Sequence, residues 1–474
     1  MDRRRFLQTT GALAATTALG CATGAPRHPE RRPNLVYVFA DQWRAQAFGH
    51  TGDPNATTPN IDRLAGSSLN FTHAVSGCPV CCAYRGSLMT GQYWLTHGVF
   101  LNDVPLSNAA TSFAQALGAG GYDTAYIGKW HLDGHGRTSY IPRERRQGFD
   151  YWKVLECTHD YNNSYYFADE DVRLQWEGYD AIAQTRDAQA YIRDHRRDRP
   201  FALFLSWGPP HDPYETAPEA YRSQHRPEDV QLRPNVPPER APIAREQLAG
   251  YYAHAHALDD CVGDLLATLV ECGLEDETIF VFTSDHGDML YSQGRVKKQQ
   301  PWEESLRVPF FLRYPLLPKP CREVDTLLNT PDIMPTLLGL CDVRIPASVE
   351  GTSFSSSLFA GETPEVAAAL YTCVAPFGQW QRKDGGRECR GLRTQRHTYV
   401  RDLEGPWLLY DNERDPYQLD NLCGQAKHAK LQADLDHRLT RMLEARGDEF
   451  LPADVYIRRW GYQVDETGTV RYTA

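Results

Sequence analysis

Four short apolar runs, each ending abruptly in residues that bind metals or move protons, constrain this chain more than any other feature. Asn34-Leu35-Val36-Tyr37-Val38-Phe39-Ala40 stops at Asp41. Asp123 to Ile127 leads into Gly128-Lys129-Trp130-His131, and Phe201 to Ser206 leads into Pro209-Pro210-His211. Thr278 to Thr283 leads into Ser284-Asp285-His286-Gly287-Asp288. Runs that are apolar at every position suit strands buried on both faces, as in a parallel sheet covered by helices. Helical stretches such as Gln184 to His195 and Gln247 to Cys272 lie between them, and that alternation predicts an α/β sheet. Open α/β sheets bind ligands at the carboxyl ends of their strands. Asp41, Lys129, His131, His211, Asp285 and His286 would then meet along one edge. A polar residue after a strand ordinarily just begins a loop, but four strands ending this way favour a shared site.

With 474 residues the chain is long enough for one large domain and a smaller one. Its character changes past Ser357. Arg393 to Arg401 and Trp407 to Tyr410 read as two strands, Asn412 to Pro416 as a turn, and Lys427 to Arg446 as a helix. The expected division is an export signal over 1–21, a linker over 22–33, a catalytic unit over 34–365 and a C-terminal α+β unit over 366–474. The net charge of −11 argues against a nucleic-acid partner. It leaves room for a local cationic pocket that takes an anionic substrate.

At the N-terminus, Arg3-Arg4-Arg5-Phe6-Leu7 precedes an apolar stretch from Thr9 to Leu19 that is too short to span a bilayer. The arginines followed by Phe-Leu resemble a twin-arginine signal, and Leu19-Gly20-Cys21 resembles a lipoprotein cleavage site. The expectation is export to the periplasm or the cell envelope, with membrane contact only through a lipid anchor at Cys21.

The sharpest segment is Cys78-Pro79-Val80-Cys81-Cys82-Ala83-Tyr84-Arg85. Its residues alone leave three readings. One is a redox pair at Cys78 and Cys81, although no thioredoxin-like context surrounds it. A second is a zinc site, although no second Cys/His pair stands at a matching distance. The third is an activated nucleophile at a helix start, with Arg85 one turn on.

Continued through Gly86-Ser87-Leu88-Met89-Thr90-Gly91, the segment is similar to the signature of the sulfatase family, in its Cys-x-Ala-x-Arg form. Phe39-Ala40-Asp41-Gln42, Gly128-Lys129-Trp130-His131, Pro210-His211-Asp212-Pro213 and Ser284-Asp285-His286-Gly287-Asp288 resemble further elements of that family in order and spacing. So do Lys298, ahead of Trp302 to Pro309, and the run from Leu409 to Pro416.

The resemblance implies an alkaline phosphatase-like fold, a large mixed sheet between helices with a smaller C-terminal α+β region. It also implies hydrolysis of sulfate esters, here of a sulfated carbohydrate. Cys81 would be converted to formylglycine by a maturation enzyme, and the hydrated aldehyde would attack sulfur with Asp285 assisting its deprotonation. Asp41, Gln42, Asp285, His286 and residue 81 would hold a divalent cation, Ca²⁺ by preference with Mn²⁺ or Mg²⁺ as alternatives. Arg85, Lys129 and Lys298 would face sulfate oxygens. His211 with Lys298 would protonate the departing sugar oxygen, and His131 would take the proton that expels sulfate.

The remaining polar residues carry less. His97 and Asn102 read equally as pocket or loop residues, and His254 and His256 as structural. Asp259 and Asp260 are adjacent and cannot face one another on a helix. Lys297 is expected in solvent, and Cys78 and Cys82 buried or paired. Two other functions compete: phosphonate or phosphate monoester hydrolysis in the same superfamily, and carbohydrate binding without turnover.

Overall fold

The computed structural model describes residues 32–472; the expected export signal and Cys21 lie outside the described residues. Ten strands come first: β1 (Asn34–Asp41), β2 (Leu69–Val75), β3 (Asp123–Lys129), β4 (Tyr151–Leu155), β5 (Tyr165–Tyr166), β6 (Leu174–Gln175), β7 (Phe201–Pro210), β8 (Thr278–Ser284), β9 (Phe310–Arg313) and β10 (Arg322–Asn329). Eight of them form one sheet in the order β10-β2-β9-β8-β1-β7-β3-β4, and β5 pairs with β6 apart from it. Strand β9 runs antiparallel to β8 and β2, while the other neighbours are parallel, so the sheet is mixed.

The continuous apolar character of β1 has a simple cause. Leu35, Tyr37 and Phe39 enter the core on one face, and Val36, Val38 and Ala40 enter the core on the other. The helices Asp180–Asp194 and Ala241–Glu271 belong to the second core, and Cys81–Thr90 with Thr330–Leu340 belong to the first. Each such aliphatic or aromatic side chain contributes about 1.5–3 kcal/mol on full burial. The long helix starts at Ala241, earlier than the expected Gln247, because Pro242 falls in its first turn, where a missing N–H costs nothing.

The C-terminal region is a four-stranded antiparallel sheet, β11 (Ala369–Cys373), β12 (Cys389–Arg393), β13 (His397–Asp402) and β14 (Gly405–Asp411). The helix Ala429–Glu444 lies over β12 and β13. The single strand expected from Arg393 to Arg401 is in fact the end of β12, a turn and then β13. The Thr394 amide donates to the His397 carbonyl at 2.8 Å to close that turn. Thr394-Gln395-Arg396 contains no Gly, Pro or Asn, so nothing in the residue types marked the reversal. Among the described residues no helix is long and apolar enough to cross a membrane.

Candidate active site

The central strands release their functional side chains at one edge. Strand β1 ends on Asp41, and the chain leaves through Gln42 in the left-handed region at φ 74°. Strand β8 delivers Asp285 and His286 beside it, the Asp285 amide donating to the Ala40 carbonyl at 3.2 Å. Strand β3 delivers Lys129 just after Gly128, where an added Cβ would sit 2.1 Å from the Ser206 carbonyl oxygen of β7. Only glycine allows that approach. The helix Cys81–Thr90 begins at Cys81, which is 1% exposed.

These elements build a buried cluster. Asp41, Cys81, Asp285 and His286 each offer a ligand atom, and those atoms all lie within 4.8 Å of one another. The His286 Nδ1–H donates to the Gly287 carbonyl at 2.9 Å, so Nε2 carries the free lone pair toward the cluster. Gln42 is anchored through Nε2, which donates to Asp288 Oδ2 at 2.7 Å, while its Oε1 is buried without a partner. Burial and the neighbouring Asp41 carboxylate push Asp285 up to about 6, a repulsion that a cation between them would relieve. The donor set therefore fits a hard or borderline divalent cation: two carboxylates, an unspent amide oxygen and an imidazole whose Nε2 faces the cluster.

Position 81 touches this cluster on one side and a cationic group on the other. The Cys81 Sγ lies 3.2 Å from His286 Nε2 and 3.5 Å from Asp41 Oδ1, with Lys298 Nζ 3.0 Å away. Burial and Asp41 oppose ionisation of the thiol. Lys298, Lys129 and His286 outweigh them and hold it well below the ordinary thiol range. Lys129 Nζ is 2.6 Å from Asp41 Oδ2. Lys298 Nζ donates to His211 Nε2 at 2.9 Å, and His211 Nδ1–H donates to the Asp212 carbonyl at 2.9 Å. Burial and the Lys298 charge hold His211 well below its usual pKa, so its imidazole is neutral.

Arg85 lies beside the cluster and is held by several protein groups. Its Nη1 donates to the Lys129 carbonyl and to Ser206 Oγ, each at 2.7 Å, and its guanidinium lies over the Phe39 ring. Its Nη2 faces Asp41 and Asp285 at 3.5 and 3.4 Å. Its Nη1 is thus committed to protein acceptors and its Nη2 faces the two carboxylates, while its buried Nε has no partner.

His131, at φ 58°, donates its Nε2–H to Asp103 Oδ1 at 3.0 Å, and its buried Nδ1 has no partner. Burial opposes a charge on His131, but the Cys82 and Cys157 sulfurs and Asp103 outweigh it and raise the imidazole well above its usual value. Arg137 grips Asp103 through Nε and Nη2 at 3.2 and 2.9 Å.

The other sequence candidates fall elsewhere. His97 is buried behind the helix, with Nε2 3.0 Å from Ser87 Oγ and Nδ1 accepting from the Val99 amide at 3.1 Å. The Asn102 carboxamide oxygen accepts from the Cys82 amide at 3.5 Å. His254 meets Tyr179 and His256 meets His225, both away from the cluster. Asp259 accepts from the Asn60 and Ile61 amides, and Asp260 from Tyr221. Lys297 is paired rather than solvated, its Nζ 3.0 Å from Asp212 Oδ2. Cys78 and Cys82 are buried free thiols.

Sequence reasoning passed over Asp103, Arg137, Asp288 and His159. The His159 ring stacks on His211, with centroids 4.7 Å apart and planes 14° from parallel. Asp288 was visible as the last residue of its motif, and Asp103 as a polar residue after the apolar run Val99 to Leu101; neither pattern shows what the carboxylate holds.

A buried cluster able to hold a metal ion, beside the start of a buried helix at the carboxyl edge of a mixed sheet, sits in a fold of the alkaline phosphatase-like class. The sulfatase family model matches residues 33–343, and the model for the C-terminal part of N-sulphoglucosamine sulphohydrolase matches residues 293–445. The chain is 44% identical over 440 residues to an ulvan-active sulfatase of Formosa agariphila, covering 91% of this chain and 85% of that protein. It is 32% identical to an endo-4-O-sulfatase of Bacteroides thetaiotaomicron, covering 87% and 92%. A solved structure from work on glycosaminoglycan metabolism by Bacteroides thetaiotaomicron superposes with a TM-score of 0.81 at 30% identity, covering 90% and 99%. The phosphonate monoester hydrolase of Agrobacterium radiobacter, at 23% identity, shares the fold with a TM-score of 0.73 over 94% of this chain and all of that one. The chain belongs to the sulfatase family and is a sulfuric ester hydrolase.

Proposed function

We propose that the protein removes sulfate from a sulfated carbohydrate, with Cys81 converted to formylglycine and a divalent cation held by Asp41, Gln42, Asp285, His286 and the modified residue 81. The observation that carries this reading is the position of Cys81 Sγ, within 3.5 Å of both the carboxylate–imidazole cluster and Lys298. The oxygen-rich donor set favours Ca²⁺, and the imidazole nitrogen also suits Mn²⁺ or Mg²⁺. When bound, the cation supplies Lewis acidity and orients the nucleophile, and the hydrated formylglycine supplies the attacking hydroxyl and a second one that lets sulfate leave.

The chain's own side chains do the rest. Lys129 and Lys298 neutralise the sulfate oxygens. Arg85 acts through Asp41 and Asp285, which it holds in place. Asp285 assists deprotonation at residue 81. The Lys298 ammonium, shared with neutral His211, donates the proton that a departing sugar oxygen requires. In its neutral form His131, made strongly basic by Asp103, takes the second hydroxyl's proton at Nδ1, and Asp103 stabilises the imidazolium that results.

The polysaccharide assignment follows the relatives named for ulvan and for endo-4-O-sulfate removal. The same reading includes export through the arginine-led N-terminus, an anchor at Cys21, a formylglycine-generating partner, and catalytic and C-terminal units over 34–365 and 366–474.

Peptide mass spectrometry across Cys81, on protein from its native host, tests the nucleophile: the expected product is the aldehyde in place of the thiol. An unmodified Cys81 in that material would overturn the mechanism. Matched aryl sulfates and phosphonates test the chemistry, with sulfate release expected to be the faster; the reverse would point to phosphonate hydrolysis.

A further inference from the structure

Resting on the cation site proposed above, we infer that Asp288 is the positioning residue that fixes which end of the Gln42 carboxamide faces the cation. Asp288 is fully buried, and its two oxygens have separate duties. Oδ1 accepts from the backbone amides of Leu290 and Lys297, each at 3.0 Å. Oδ2 accepts from Gln42 Nε2 at 2.7 Å and from the Tyr214 hydroxyl at 2.5 Å. All four contacts are donors to the carboxylate. Because Nε2 is spent on Asp288, the Gln42 oxygen has to point the other way, and that oxygen is the one buried without a partner. The first oxygen holds the turn that presents Lys298, so one carboxylate ties a cation ligand to the leaving-group lysine.

The arrangement makes a test by reversal of polarity available. In Asp288→Asn, the two backbone amides keep the carboxamide oxygen at the Oδ1 position and force Nδ2 to face Gln42. Two N–H groups cannot oppose one another, so the Gln42 carboxamide turns over and presents Nε2 to the cation. The Tyr214 hydroxyl can rotate to accept, so the substitution stays nearly isosteric. A glutamate at 42 is an acceptor at both ends. Asp288→Asn/Gln42→Glu therefore regains an oxygen toward the cation, while Gln42→Glu alone sets two carboxylates against each other.

Calorimetric titration of Ca²⁺ into the four chelator-stripped proteins reads the result without activity, alongside the cation-dependent rise in melting temperature. Asp288→Asn is expected to weaken Ca²⁺ binding about 10–100-fold, the usual scale for a partner that orients a ligand. The double variant is expected to bind within a few-fold of wild type, and Gln42→Glu more weakly than the double. Wild-type affinity in Asp288→Asn, or no recovery in the double variant relative to Gln42→Glu, would overturn the role of Asp288 and leave the cation site standing. If Asp288→Asn does not fold, the comparison of Gln42→Glu with the double variant decides alone. No Ca²⁺ binding by wild type would overturn the site and this inference together.

Discussion

The two halves of the active site are built by different means. Asp41, Asp285 and His286 leave the ends of β1 and β8, adjacent strands paired in parallel register from Asn34↔Thr278 to Ala40↔Ser284. Their spacing is a property of the sheet. His131 and His211 lie outside the strands and are held by partners from elsewhere in the fold: Asp103 with Arg137 for His131, and Lys298 with the Asp212 carbonyl for His211. Strand ends place a residue through backbone hydrogen bonds; loop residues must be placed by partners whose identity depends on the tertiary structure.

Substitutions can break this contrast. The largest effects belong to the helix-start residue 81 and to the sheet-held half. Cys81→Ala and Asp285→Ala are expected to lower kcat on an aryl sulfate by about 10⁴-fold or more, as loss of a nucleophile or its activating group does. Their melting temperatures should stay close to wild type, and substantial residual turnover would remove either residue from the chemistry. In the loop-held half, Asp103→Asn leaves His131 in place but without its anion. A loss of about 10²–10³-fold in kcat is expected, and an unchanged rate would make Asp103 a purely structural partner.

Lys298→Ala sharpens the comparison further. A sugar alkoxide needs a proton on departure and nitrophenolate does not. The ratio of kcat/KM for nitrophenyl sulfate to that for a saccharide sulfate should rise at least about tenfold. Equal losses on both would detach Lys298 from leaving-group protonation.

The smallest effect lies outside the site, where Arg393 of β12 pairs with Glu303 at 2.8 Å between the two sheets. Burial alone would raise Glu303, but the Arg393 guanidinium outweighs it and holds the carboxyl at about 2. A depressed carboxyl stabilises the folded state above its unfolded pKa of about 4.5 and loses that contribution as pH falls toward 2. Acid unfolding of Glu303→Gln should be flatter over that window by roughly 3 kcal/mol at most. An identical acid profile would show that the pair does not discriminate folded from unfolded chain.

What the sequence disclosed follows the same division. The central strands and their terminal residues were legible because apolar runs buried on both faces have a simple pattern. Strand β9 was not, since four residues of Phe310–Arg313 give no period to read. The turn at Thr394 to Arg396 was read through for want of turn residues. Lys297 was assigned to solvent because its partner Asp212 lies 85 positions away. Asp103 and Asp288 could be seen as carboxylates, yet their roles depend on which donors the fold brings to them. Arg85 was placed correctly on the helix, but Ser206 and the Lys129 carbonyl, which claim its donors, come from other strands.

The depth of Cys81 also orders events in time. The thiol is 1% exposed at the start of a helix packed into the core, so on the proposed mechanism an enzyme that oxidised it would find it closed off in the finished molecule. Oxidation would have to come while the segment around Cys78 to Arg85 is still accessible. The yield of working protein would then be decided by a race during biosynthesis between the modifying enzyme and the closing of the sheet.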